Sequence, residues 1–375
     1  MNTLAFPHMG NYYVPIKYLF SHITTLNIMT SPPITNKTIE LGNKYSPDFV
    51  CTPFKYTLGT YIEALEKGAD ILVQAGGGCR YGYYSELQTK ILEDLNYKFE
   101  YINLVSKGKT DIFKIIKQMK KIEPNLKIIK SAYYLFITTK MVKYMDKVDD
   151  YIRENIGFEK EENSFKREYR KMLKSFSETK SYFDLRKKYK KHFKKIKNLE
   201  VIKNNPLRVG IIGELYTVME PFSNYFIENT LAAYNIEVKR FTNVHYLLFE
   251  KGYKIKKYLK TVKKYIKYKM GADASDNIAR TKYLCENKYD GIIHIKSSFC
   301  TPEIGAMPII NKICKEYDVP VIFFSFDANT SEVGIKTRLE AFRDMIEMRK
   351  NNEKLLSRNW YRIYINKRSN NWWRW

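Results

Sequence analysis

Three cysteines of this chain each stand directly before a sequence that favours the start of a helix. They are Cys51 in DFVCTP, Cys79 in GGGCRYGYY and Cys300 in SFCTPE. Free backbone N–H groups and the positive end of the helix dipole lower the pKa of a cysteine at a helix N-terminus. The thiolate so favoured is the form that binds soft metals. The residue type and its position therefore indicate a thiolate site for a metal or a metal cluster.

The residues next to Cys79 are suited to close contact with a bound group. Gly77 and Gly78 carry no side chain, so the backbone approaches a ligand closely there. Arg80 adds a positive charge that a cluster of thiolates would favour. We therefore take Gly77, Gly78 and Arg80 as candidate cofactor-binding residues, and Cys51, Cys79 and Cys300 as candidate metal ligands.

The number and spacing of the cysteines limit the kind of metal site. Cys285 and Cys314 lie at apolar positions within predicted helices, which is typical of buried core residues. Structural zinc sites usually contain Cys-x-x-Cys pairs and four ligands, and the sequence has no such pair. An iron–sulfur cluster held by three thiolates would leave one iron open for an exogenous ligand. On spacing alone, three unrelated structural cysteines remain the simpler interpretation.

Strands and helices alternate in two blocks of the chain, a pattern typical of βαβ units and parallel sheets. A helix is predicted from about Tyr12 to Ile28, and another begins at Pro53. The first block has four predicted strands: TLAFPH (3–8), TIEL (38–41), ADILVQA (69–75) and KFEYINL (98–104). The second block has four more: LRVGIIGE (207–214), IEVKRF (236–241), YDGIIHI (289–295) and VPVIFFSF (319–326).

The predicted strands position the three cysteines. Cys79 and Cys300 follow strands, and Cys51 follows the short apolar segment DFV (48–50). Ligands of open parallel sheets bind beyond the carboxyl ends of the strands. We therefore expect all three cysteines at such an edge, two in the first block and one in the second.

The region between the blocks is helical and strongly basic. The stretch 165–197 interleaves aromatic residues with lysines and arginines, which predicts amphipathic helices with a packed aromatic face and a solvated basic face. The whole sequence thus predicts an α/β fold with two Rossmann-like parallel-sheet domains, residues 1–108 and 204–350, and a cleft between them. A basic helical region (109–203) and a basic aromatic tail (351–375) complete the predicted organisation.

Composition limits the class of protein. The chain has 375 residues, 44% of them hydrophobic, which is typical of a globular protein. Five cysteines far apart exclude a disulfide scaffold and favour a reducing compartment. No apolar run approaches the roughly 20 residues of a transmembrane helix, and the N-terminus lacks a basic leader, so we expect a cytoplasmic protein without a transmembrane segment. The net charge of +25 is compatible with nucleic-acid binding, but a lysine-biased composition explains this charge more simply. We therefore expect no specific nucleic-acid partner.

Several stretches together carry a resemblance to a known family. The chain resembles the 2-hydroxyacyl-CoA dehydratase and benzoyl-CoA reductase component family, and within it the standalone members called CoA-protein activase-like or activase-related. The matching stretches are FPHMGNYY (6–13), CTPFKYTLG (51–59), GADILVQAGGGCRYGYY (68–84), YDGIIHIKSSFCTPEIGAMPII (289–310) and FSFDANTSEVGIKTRLEAFRDM (324–345). The helical region matches only loosely.

The resemblance implies a cofactor and a partner. Members of the family bind a 4Fe–4S-type cluster through three cysteines between two Rossmann-like domains, and the matching positions here are Cys51, Cys79 and Cys300. The cluster accepts a low-potential electron from an ATP-hydrolysing activator protein that has its own iron–sulfur cluster, and passes it to an acyl-CoA. The chain has no Walker-type phosphate loop, so the partner would use the ATP.

Some alternatives stay open at this point. The chain could hold a cluster as a non-catalytic electron-transfer or scaffold subunit, and it could associate with itself or with another chain. Arg80, Lys55 and Lys296 are candidates for contacting CoA phosphates, although solvated surface charge is the simpler expectation for each. Glu303 is expected to be a first-turn carboxylate that favours the helix dipole, and His8 a structural histidine.

Overall fold

The computed structural model describes residues 2–74, 76, 79–104 and 112–369, and in the last range the side chains of 113–352. Within these residues the chain forms two four-stranded sheets in which every strand is parallel to its neighbours. Helices cover both faces of each sheet. The predicted α/β class with two Rossmann-like sheets is therefore confirmed. None of the described helices is both long and apolar enough to cross a membrane.

The first sheet has the strand order β2-β1-β3-β4. Its strands are β1 (Thr3–Ala5), β2 (Asn27–Ile28), β3 (Ile71–Gln74) and β4 (Glu100–Asn103). Its helices are α1 (Tyr13–Ile23), α2 (Asn36–Tyr45), α3 (Thr52–Glu66) and α4 (Tyr84–Asp94). Because β1 pairs with both β2 and β3, the chain winds first to one side of β1 and then to the other. The carboxyl ends of β1 and β3 thus form the switch point at which such sheets open a crevice.

A helical region follows the first sheet. Its helices are α5 (Ile112–Ile122), α6 (Ile128–Asn155), α7 (Ser164–Ser177) and α8 (Tyr182–Lys197). Phe165 and Phe176 are fully buried, and Tyr189 and Phe193 pack against the same core, whereas Phe183 remains 77% exposed. The amphipathic pattern predicted for 165–197 is confirmed, with Phe183 as the exception.

The second sheet repeats the plan of the first, with the order β6-β5-β7-β8. Its strands are β5 (Leu207–Gly213), β6 (Ile236–Arg240), β7 (Gly291–Ser297) and β8 (Val321–Phe326). Its helices are α9 (Leu215–Met219), α10 (Ile227–Ala233), α11 (Lys251–Thr261), α12 (Ala274–Glu286), α13 (Thr301–Glu316) and α14 (Glu332–Ser369). Short helices also span Gly10–Tyr12, Arg80–Tyr83, Ile156–Phe158, Pro221–Asn224 and Tyr246–Glu250.

The central strand β7 is buried along its whole length because helices cover both of its faces. Ile293 and Ile295 pack into the core on one face, together with residues of α10 and α14. Ile292 packs into the core on the other face with residues of α12 and α13. Alternate residues of β7 therefore point to different helix layers, and the layer of α12 and α13 adjoins Cys300.

The prediction of a strand at TIEL (38–41) is wrong, because these residues lie within α2. A capping box between Thr35 and Thr38 starts this helix. Gly42 then lets α2 contact α3, since a Cβ placed there would lie 1.9 Å from the backbone oxygen of Lys55. The second strand is instead β2, the two residues at the end of the predicted Tyr12–Ile28 helix, and a strand so short leaves no periodicity to detect.

The segment 221–235 forms two short helices and not one continuous helix. Tyr225 and Phe226 adopt left-handed backbone angles, with φ of 53° and 55°, between the 3-10 helix Pro221–Asn224 and α10. Asn224 stabilises the break because its Oδ1 accepts a hydrogen bond from Ile227 N. The tail continues α14 as far as Ser369, and residues 370–375 lie outside the described part of the chain.

Candidate functional site

The two sheets meet at their carboxyl edges, where side chains from each half bind the other. Thr52 N donates to Ser297 Oγ at 2.8 Å. Glu220 accepts from Gly10 N at 2.6 Å and lies 3.2 Å from His8 Nδ1. These contacts join the two halves of the protein at the junction, and His8 has the structural role that the sequence indicated.

Each of the three candidate cysteines is the N-cap residue of a helix at this junction. Cys51 precedes α3 and Cys300 precedes α13, in both cases with a proline in the first turn. Cys79 precedes the 3-10 helix Arg80–Tyr83, which runs directly into α4. Three helix N-termini, with the positive ends of their dipoles, therefore lie at the candidate site.

Cys51 lies at the start of α3, the helix start that the sequence predicted at Pro53. The segment 48–50 before it forms a turn. Because α3 crosses back over the first sheet and leads into β3, its N-terminal end lies at the carboxyl edge of the strands. Cys51 thus lies at the expected edge, positioned by a helix start.

One contact and several electrostatic effects indicate that the three thiols lie near one another. Cys51 Sγ donates to the carbonyl oxygen of Phe299, the residue before Cys300, at 3.6 Å. The negative charge of a Cys51 thiolate contributes to raising the pKa of both Cys79 and Cys300. The carboxylate of Glu214 contributes to raising the pKa of all three thiols. The remaining cysteines, Cys285 and Cys314, hydrogen-bond to each other in the core between α12 and α13.

The expected lowering of the thiol pKa values is wrong for the protein without a bound cation. Burial raises the pKa of Cys51 and of Cys300, and raises the pKa of Cys79 to about 11. Hydrogen bonds from Tyr84 to Cys51, from Tyr81 N to Cys79 and from Glu303 N to Cys300 favour the thiolates, but they do not outweigh desolvation. Buried thiols of this kind ionise when a metal centre supplies the missing positive charge.

The three candidate ligands are all sulfur donors. Within the described ranges, no group of three or more His, Cys, Asp or Glu residues is arranged to hold one metal ion. In an iron–sulfur cluster each cysteine binds a different iron, so its ligands need not converge on one point. Sulfur donors alone, at three helix N-termini in one crevice, suit such a cluster.

The predicted cofactor-binding residues have different outcomes. Gly77 and Gly78 lie outside the described residues. Arg80 is exposed in the first turn after Cys79, and its charge lowers the pKa of Cys51. Its guanidinium is therefore available at the rim of the site.

A buried polar network lies behind Cys300 and was not predicted. Glu303 is fully buried, which corrects the expectation of a first-turn carboxylate serving only the helix dipole. Its Oε2 lies 2.8 Å from His294 Nε2, and both of its oxygens accept from Asn277 Nδ2 at 3.0 Å. Asn277 also donates to the backbone oxygen of Gly213. The network ties the first turn of α13 to β7, α12 and the end of β5.

The burial of two other charged residues was underestimated from the sequence. Lys55 and Lys296 are 7% and 4% exposed, so the expectation of solvated surface charge is wrong for both. Lys55 Nζ donates to Asn43 Oδ1 at 2.6 Å. Glu214 was not predicted as a site residue, although it directly follows β5, and Cys79 and Cys300 were identified because they follow strands in the same way. It caps α9 by accepting from Tyr216 N and Thr217 N, and burial raises its pKa to about 7.

Comparison with known proteins agrees with this arrangement. Residues 23–346 match the family model described as 2-hydroxyglutaryl-CoA dehydratase, D-component. The matched segment contains both sheets except β1, and all three candidate cysteines. No curated protein is similar enough to the chain to match it. The chain therefore belongs to the 2-hydroxyglutaryl-CoA dehydratase D-component family.

Proposed function

We propose that this chain is an iron–sulfur redox component of the 2-hydroxyacyl-CoA dehydratase type, with Cys51, Cys79 and Cys300 as the ligands of a 4Fe–4S cluster. The cluster would take a low-potential electron from an ATP-hydrolysing activator protein and deliver it to an acyl-CoA. The observation that carries the proposal is that three cysteines, remote in sequence, cap three helices at the junction of two parallel sheets.

The protein's own groups would perform distinct tasks around the cluster. The N-terminal N–H groups of the helices stabilise negative charge on the sulfurs. Burial of the three thiols excludes water from the ligands. Glu214 Oε lies where a proton could be held beside the site, because burial already favours its protonated form. The cluster itself would supply one-electron chemistry.

A lysine-rich surface cavity is the candidate site for the phosphates of an acyl-CoA acceptor. The cavity has a volume of about 240 Å³ and lies at the end of α11, with five lysines and an apolar floor. Its lining residues are Lys256, Leu259, Lys260, Lys263, Ile266, Lys267, Tyr268 and Lys269. In the part of the chain that the structure describes, no carboxylate pairs with these lysines, whereas the neighbouring Lys264 pairs with Glu316. An anionic nucleotide would relieve their mutual repulsion.

The chain links the cavity to the candidate cluster site. Met270 and Gly271 directly follow the last lysine of the cavity, and a Cβ placed at Gly271 would lie 4.0 Å from Pro302 Cγ in the first turn of α13. Cys300 caps that same turn. The phosphates of CoA bound at the lysines would therefore leave the acyl arm free to extend toward the junction.

The first experiment measures cluster binding. The full-length protein would be expressed and purified anaerobically, and iron, acid-labile sulfide and the electron paramagnetic resonance (EPR) spectrum measured. Single alanine variants of Cys51, Cys79 and Cys300 should lose most of the iron. Alanine variants of Cys285 and Cys314 provide the matched control and should retain it. A wild-type protein that stays free of iron after anaerobic reconstitution would refute the proposal.

A second experiment separates catalysis from electron transfer alone. The cluster-loaded protein would be mixed with a reduced activator, ATP and candidate acyl-CoA thioesters. Consumption of the thioester supports the redox enzyme component. Reduction of the cluster without turnover of any thioester would favour the electron-transfer or scaffold subunit instead.

A further inference from the structure

Lys296 is a buried lysine at the carboxyl end of β7 that forms no ion pair with a described carboxylate. It is 4% exposed, and among the described residues its hydrogen-bond acceptor is Ser298 O, at the long distance of 3.4 Å. Within the same ranges no carboxylate lies within ion-pair distance of its Nζ. A buried ammonium without a partner is costly, so its retention points to an anion that completes the site.

The nearest carboxylates are engaged elsewhere. Both oxygens of Glu303 are bound by His294 and Asn277. Asp327 accepts from Ser298 Oγ at 2.9 Å, and its other oxygen accepts from Asn329 N at 2.9 Å. These carboxylates act on Lys296 through space but do not bind it. The charge of Lys296 is therefore left for another group.

Cys300 caps the helix that covers the face of β7 to which Lys296 points. Lys296 and His294 are two residues apart in β7 and so point to the same face, where His294 contacts Glu303 in the first turn of α13. Cys300 caps that turn. Burial lowers the pKa of Lys296, and the negative charge of a Cys300 thiolate opposes this.

We propose that Lys296 is the counter-charge of the anionic centre that includes Cys300. Its ammonium stabilises the thiolate and the additional negative charge that the centre acquires with an electron. The electron comes from the activator, and no bond forms or breaks at Lys296. The inference rests on the proposed function. It assigns to Lys296 an influence on the reduction potential of the cluster, because nearby charge is one determinant of that potential.

The test compares charge at this position in the cluster-loaded, full-length protein. Lys296→Met removes the charge with little change in shape, and Lys296→Arg keeps it. Lys312→Met provides a control with the same change in net charge, because Lys312 lies on the exposed side of α13, the helix that Cys300 caps. The midpoint potential would be measured by EPR-monitored redox titration, and iron loss by the rate of transfer to a chelator. Thermal melting by circular dichroism establishes that each variant is folded.

The expected result is a more negative midpoint potential in Lys296→Met, with iron lost about tenfold faster than in the wild type. Lys296→Arg should remain close to the wild type, and Lys312→Met should be unchanged. A wild type that binds no iron overturns the proposed function and this inference together. A loaded wild type whose potential and iron loss are the same as those of folded Lys296→Met overturns this inference alone. If Lys296→Met does not fold, Lys296→Gln takes its place under the same criteria.

Discussion

Thr52 and Ser297 hydrogen-bond across the junction of the two sheets, with 2.8 Å between Thr52 N and Ser297 Oγ. Thr52 Oγ1 also lies 2.9 Å from the carbonyl oxygen of Phe326, to which it donates. Thr52 directly follows Cys51, and Ser297 lies three residues before Cys300. The contact that joins the two halves of the protein therefore also positions two of the candidate ligands relative to each other.

Removal of the Thr52 hydroxyl should weaken this junction. Thr52→Val keeps the shape of the side chain but removes one of the two hydrogen bonds to the carbonyl of Phe326, which still accepts from Ser298 N. The free energy of unfolding should therefore fall by about 0.5–1.5 kcal/mol. Iron content should fall as well, because Cys51 is held less firmly against the segment that carries Cys300. Urea unfolding and iron analysis measure the two effects. Thr337→Val, on the exposed face of α14, is the matched control, and an equal response of the two variants would contradict the prediction.

Close packing of α2 against α3 should make Gly42 irreplaceable. A Cβ at Gly42 would lie 1.9 Å from the backbone oxygen of Lys55, so α3 must move to accept alanine. Gly42→Ala should lower the free energy of unfolding by about 2–4 kcal/mol. Since α3 begins at Cys51, the displacement should also reduce iron binding.

Gly252 provides the control for that substitution. It lies in α11, and a Cβ there meets no atom within 4 Å. Gly252→Ala should raise the free energy of unfolding by about 0.5–1 kcal/mol, because alanine favours the helix. Thermal melting of both variants suffices, and a Gly42→Ala protein as stable as Gly252→Ala would show that α2 and α3 are not in close contact.

Asp146 should make the stability of the protein depend on pH. Burial raises the pKa of its carboxyl from 3.8 to about 7. The folded state therefore binds the proton more tightly than the unfolded state, and stability falls as pH rises from about 4 to 7. Asp146→Asn keeps a neutral side chain beside Tyr12 and His245, so its stability relative to the wild type should increase over this range by about 2–4 kcal/mol.

Urea unfolding at pH 5 and at pH 8 tests this prediction. The measured quantity is the difference in unfolding free energy between the variant and the wild type at each pH. Asp94→Asn, on an exposed carboxyl of α4, is the control and should show a difference that changes little with pH. A difference for Asp146→Asn that is the same at both pH values would mean that Asp146 is ionised in the folded protein throughout.

The lysine-rich cavity should bind CoA through its phosphates. The double variant Lys260→Glu and Lys263→Glu should bind CoA more than about tenfold more weakly, since two favourable charges become repulsive. Isothermal titration at two salt concentrations measures this, and wild-type affinity should fall with salt. Lys187→Glu and Lys190→Glu, exposed on α8 with the same spacing, make the same change in net charge. Equal CoA affinity of the two double variants would exclude the cavity as the site.

The sequence by itself determined the features that depend on neighbouring residues. The buried strands β5 and β7 follow from continuous apolar runs, and the start of α3 follows from Pro53. Each of the three cysteines precedes a helix, as the local pattern indicated. These predictions succeed because strand propensity, helix capping and hydrophobic periodicity are properties of a few adjacent residues.

Only the tertiary structure decided which of these features meet. The segment TIEL lies in α2, and Gly42 and Gly59 allow this helix to pack closely against α3. Lys296 and Glu303 became buried because α12 and α13 cover that face of β7, and burial then determined the protonation of the three thiols. Contacts between residues far apart in the chain, and the loss of water that accompanies them, depend on how the two sheets pack, which no local pattern encodes.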